Sequence, residues 1–111
     1  MQKYLTWQPG NGTRYDITLV KLELDTYGQK AGTWMVVGPW ADRARVMFLA
    51  PDGGYLAYQY VAEKLGVGPH DASVVAMMVA PHIGREAGVL DNLFEHYTNA
   101  PRGEPTVTEV A

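Results

Sequence analysis

Four side chains offer the best-equipped chemistry in the sequence. His82 and Glu86 stand four residues apart, a separation that places two ligands on one helix face, and His70 and Asp71 add a nitrogen and an oxygen donor. Together they form a weak candidate metal or small-molecule site between helices and a sheet, with His96 as a further donor. No HExxH-like or paired-ligand spacing accompanies them, so no metal and no cofactor is expected. Nucleophilic catalysis is poorly supplied. Ser73 is the only serine, it opens an apolar segment where local backbone bonding suits it better than activation, and no Gly-x-Ser-x-Gly elbow is present. Twelve acids give no distinctive carboxylate pair, and neither Gly10-Asn-Gly12 nor Gly53-Gly54 has the helix and Lys-Ser/Thr of a phosphate loop. The balance leans against an enzyme.

Residues 61–74 read first as a helix-turn-helix. Ala62, Gly66 and Val74 or Val75 supply the small and branched residues that let two helices meet at a corner. Reading bases takes Arg, Lys, Asn or Gln on the second helix, and after Asp71 only Ser73 is polar before Val79. Pro69 and His70 also disturb the turn. Nucleic-acid recognition is therefore disfavoured, and helix packing is the expected use of the motif.

Charge agrees. The net charge of −3 is uneven, with six basic and five acidic residues through Gly54, then three basic and seven acidic from Tyr55 onward. The acidic half is mildly repelled by phosphate backbones, although solvated helix faces account for it equally well.

The 111 residues, 47% hydrophobic and 19% charged, suit one globular domain. The absence of cysteine excludes disulfides and thiolate sites. No apolar run approaches the roughly 20 residues of a membrane span, and the first residues lack the apolar core of a signal peptide, so a cytoplasmic location and no membrane partner are expected.

Strands precede helices along the chain. Residues 3–7 form an apolar run stopped by Pro9-Gly-Asn-Gly12. Tyr15, Ile17 and Leu19 alternate, then parity shifts to Val20, Leu22 and Leu24, which predicts a strand with a bulge at Leu19-Val20. Residues 34–37 are apolar on consecutive positions and predict a central strand covered on both faces, and residues 45–49 predict another. A helix is expected at 55–65 with Asp52 as its N-cap and its first turn open to an extended reading, in competition with a hairpin turn at Pro51-Asp-Gly leading into a strand that Tyr55, Tyr58 and Tyr60 would favour. A second follows at 72–79, capped by Asp71, and a third at 82–97, carrying Val89, Leu90, Leu93, Phe94 and Tyr97. The order implies an α+β fold: an antiparallel sheet of about four strands in the N-terminal half against two or three helices, as one domain over 1–100 with a mobile tail over 101–111.

The expected function is a small non-enzymatic accessory module working through a protein partner or its own copy; its size and plain chemistry are compatible with a phage or mobile-element accessory protein. Trp40 sits in a loop beside Pro39, Arg43 and Arg45, and with Tyr27 in the preceding turn forms the candidate partner contact, since Trp, Tyr and Arg dominate interfaces. A helix apolar on nearly all sides lies in a core or a subunit contact, which makes Val74, Val75 and Met78 candidates for self-association.

Overall fold

The structure, a computed structural model, describes residues 1–40, 44–51, 53–95, 97 and 102–110. Four strands, β1 (Gln2–Trp7), β2 (Tyr15–Lys21), β3 (Trp34–Pro39) and β4 (Ala44–Leu49), run as an antiparallel meander. The β1–β2 register is unbroken from Trp7↔Tyr15 to Gln2↔Val20, so the expected bulge is absent. The parity shift has another cause: β2 ends at Lys21, Leu22 is buried just beyond it, and Leu24 points into solvent.

Among the described residues the sheet has five strands, one beyond the about four expected. Thr106–Val110, within the segment expected to be a mobile tail, forms a strand antiparallel to β1, giving the order β4-β3-β2-β1 and then this C-terminal strand. All five of its residues are exposed, which is why the sequence showed nothing for it to bury. Backbone pairing holds it, together with an ion pair from Lys3 to Glu109 at 3.4 Å.

The second half covers one face of this sheet. Tyr55–Ala57 is extended (β5), and α1 (Tyr58–Leu65) follows directly, ending at Gly66 in the left-handed region at φ 67°. The last carbonyls of α1, Leu65 and Gly66, accept hydrogen bonds from Arg45 Nη1, a cation where the helix dipole favours one. Three residues later α2 (Pro69–Val79) begins, with Gly68 as N-cap and Pro69 at the first helical position, where a missing N–H costs nothing. Asp71 is thus not the cap. It lies inside the first turn and turns its carboxylate to Tyr15.

Among the described residues the third helix expected at 82–97 does not form. Ala80–Ile83 makes one 3-10 turn, Gly84 closes it at φ 68°, and Glu86–Gly88 becomes β6, parallel to β5. Gly84 and Gly88 together outweigh the helical spacing of the apolar residues beyond them, since each costs about 1 kcal/mol in a helix interior. Gly88 is also required by contact: a Cβ there would lie 2.1 Å from the Tyr55 hydroxyl oxygen.

The core fills the space between the layers. Leu5, Ile17, Leu19, Val36, Met47 and Leu49 from the sheet meet Val61, Leu65, Val74, Val75, Met78 and Val79 from the helices, all at most 3% exposed. The architecture of the described residues is α+β, an antiparallel sheet built from four strands of the N-terminal half and one C-terminal strand, with two α-helices in the C-terminal half. No helix among the described residues is long and apolar enough to cross a membrane.

Candidate functional site

The residues expected to mediate self-association are interior. Val74 and Val75 are fully buried and Met78 is 1% exposed, so α2 spends its apolar surface on the domain's own sheet and on α1. Its seven buried positions leave exposed Pro69 and partly accessible His70, Asp71 and Met77. Ser73 serves the fold: its hydroxyl donates to the Pro69 carbonyl at 2.8 Å and accepts the Leu90 N–H at 3.1 Å.

The four candidate metal donors do not converge. His70 and Asp71 begin α2, and Glu86 is exposed on β6. His82 faces β1, with Nδ1 3.5 Å from Lys3 Nζ; burial, then the Lys3 charge, holds its pKa below the ordinary 6.5 against an opposing pull from Glu109. Among the described residues no three His, Asp or Glu side chains gather closely enough to hold a metal ion. Of the expected partner contacts, Arg45 caps α1, while Arg43, like Asp42, Asp52 and His96, lies outside the described residues.

Trp40 and Tyr27 are placed differently from each other. Trp40 is half-buried and folds back on the domain, its benzo edge filling the space that a Cβ at Gly38 would occupy. Tyr27 is 69% exposed at the tip of a two-residue hairpin closed by paired 2.9 Å bonds between Thr26 and Gln29. Tyr27 and Gly28 both have positive φ, 57° and 71°, the pattern of a type I′ turn. A tyrosine is an unusual occupant of that position, and its ring leans toward Phe48 at 6.4 Å.

Phe48 opens onto the face of the sheet that carries no helices. Register aligns Val110, Gln2, Val20, Met35 and Phe48 in one row across all five strands. The next row is Thr108, Tyr4, Thr18, Val37 and Val46. Neither row contains a charge. An antiparallel sheet with one solvated face ordinarily alternates apolar-in with polar-out, yet Tyr4, Val46 and Val110 here are 42–43% exposed and Val20, Met35, Val37 and Phe48 are only partly covered. Sequence reasoning missed this surface although its signal was present. Apolar residues occupy both parities of β3 and β4, and the shift onto Val20 belongs to the same outer face rather than to a bulge.

A second feature lies on the helical side, at the end of the sheet nearest the β1–β2 turn. A concavity of about 280 Å³ is lined by Thr13, Arg14, Tyr15, Asp16, Ile17, Trp40 and Asp71. The Tyr15 hydroxyl donates to Asp71 Oδ1 at 2.6 Å, and burial followed by that carboxylate raises the Tyr15 pKa far above the ordinary phenol value. Tyr97, whose pKa burial also raises, hydrogen-bonds His70 and neighbours Tyr15, so His70 and Asp71 join one polar network. Gly10 makes room for the Tyr97 ring: a Cβ there would sit 2.3 Å from it.

No protein-family model, curated protein sequence or solved structure matched the chain.

Proposed function

We propose that the protein is a non-enzymatic contact module, and that the open face of its sheet packs against the same face of a second copy. The observation that carries this reading is the pair of uncharged rows running across five strands, with Tyr27 standing at their rim. Apolar area of this kind on a monomer is costly to leave in water and marks an interaction site. A second copy is the favoured occupant because the rows offer no charge for a partner of opposite sign to read, whereas two uncharged, largely apolar sheet faces stack at about 10 Å by interdigitating their side chains.

Area sets the expected strength. Five strands spaced about 4.8 Å apart and six residues long present roughly 500 Å² in plan. Two such faces remove about 1,000 Å², the floor for a specific interface, so the dimer should be weak and concentration-dependent.

Sedimentation velocity on the wild type and on Val46→Lys tests the proposal. The expected result is a reversible monomer–dimer equilibrium that the lysine weakens at least about tenfold, because a charge is buried without a partner. A strict monomer at about 1 mM, or a Val46→Lys dimer as tight as the wild type, overturns it.

A further inference from the structure

We propose that the cleft between Trp40 and Asp71 binds a guanidinium group, carried either on a small molecule or on an arginine side chain.

The cleft exists because the sheet parts there. The β2–β3 register runs from Lys21↔Trp34 to Thr18↔Val37 and stops. The next hydrogen-bonded pairing would set Asp16 against Pro39, which has no N–H to give. The first residues of β2 are therefore released from β3, and Trp40, folding back over Gly38, forms the far wall.

The lining specifies the ligand. Trp40 and Ile17 provide an apolar wall, while Asp71 enters from the first turn of α2. Tyr15 commits its single proton to Asp71 Oδ1, and among the described residues Oδ2 has no hydrogen-bond partner. Arg14 does not neutralise Asp71, since its Nε and Nη2 both lie 3.2 Å from Asp16 Oδ2. The three charged residues of the lining thus sum to −1, which calls for a cation.

A planar cation suits this arrangement better than an ammonium. Guanidinium can lie against an indole face and still direct N–H groups at a carboxylate in its own plane. The 280 Å³ available accepts such a head on a short stem and little more. The positive end of the α2 dipole opposes any cation at Asp71, so affinity should be low, near millimolar.

Titration of the full ¹⁵N-labelled chain with butylguanidinium, and separately with the tripeptide Gly-Arg-Gly, tests the proposal. Butylammonium and acetate serve as comparison ligands. Saturable shifts of the Trp40 indole N–H are expected with both guanidinium probes, and binding of the tripeptide alone would support the proposal with a polypeptide as the source. Asp71→Asn keeps an acceptor for Tyr15 yet should weaken binding about tenfold, the loss of a charge-assisted bond. Trp40→Leu, followed through the backbone amides of Ile17 and Asp71 in place of the indole, leaves the carboxylate in place; it should weaken binding similarly and decides the matter if Asp71→Asn does not fold. No saturable shift with either probe to about 50 mM, equal binding of acetate, or undiminished binding in the variants overturns the proposal.

Discussion

Ser73→Ala is a small change with a calculable cost. The side chain is fully buried, and its oxygen is the acceptor for Leu90 N–H at 3.1 Å, tying the chain after β6 to the middle of α2. Alanine leaves that amide without a partner, a loss of about 1–3 kcal/mol when solvent cannot replace it. The second bond matters less, because the Pro69 carbonyl also faces the helix amide four residues on. Against this, alanine is the better helix former by about 0.5 kcal/mol. The net expectation is a loss of roughly 1–2 kcal/mol, a fall in Tm of about 5–10 °C for a domain of this size. Equilibrium urea unfolding measures the loss, and hydrogen exchange at Leu90 reports its origin. Unchanged stability with the Leu90 amide still protected would refute the reasoning.

Three further perturbations separate the two faces of the molecule. Val75→Ala should cost about 2–3 kcal/mol in urea unfolding, whereas Val46→Ala on the open face should stay within about 0.5 kcal/mol; equal costs would contradict the assignment of inside and outside. Tyr27→Asn relieves a left-handed strain of about 1 kcal/mol, so the variant should be as stable as the wild type or slightly more so, while its dimer weakens; a clear loss of stability would show that the ring supports the fold. His82→Gln addresses pH. The fold disfavours the imidazolium through burial and Lys3, so the unfolded chain takes up the proton first and stability drains away as pH falls below 6.5. Stability of His82→Gln measured from pH 7 to pH 5 should decline less steeply than that of the wild type, and parallel curves would exclude the linkage.

The parts of the fold that were legible in the sequence are those where periodicity and punctuation agree. Alternation at Tyr15, Ile17 and Leu19, Gly66 closing α1, and the apolar run of α2 each led to the observed element. Two departures involve pairing between segments distant in sequence. Val89, Leu90, Leu93 and Phe94 have helical spacing, but pairing of Glu86–Gly88 with Tyr55–Ala57 and the Ser73 bond to Leu90 hold that stretch in another path. The C-terminal strand buries no side chain, so its only signal is the free edge of β1.

Site residues were legible by type rather than by place. Trp40, His70 and Asp71 stood out separately, as a contact residue and two metal donors, and the fold gathers Trp40 and Asp71 around one cleft with His70 in the adjoining network. Tyr15 carries only a strand signal in the sequence. Its partnership with Asp71 spans 56 positions, which no local pattern encodes.

The proposed contact lies on the open sheet face, not the helical side. A concentration series of ¹⁵N spectra from about 20 μM to about 1 mM tests it most directly, spanning the affinity expected of so small an interface. Amides of Val20, Met35, Val37 and Phe48 are expected to shift together along one binding curve while those of α2 stay fixed. Shifts confined to α1 and α2, or no concentration dependence at all, would contradict it.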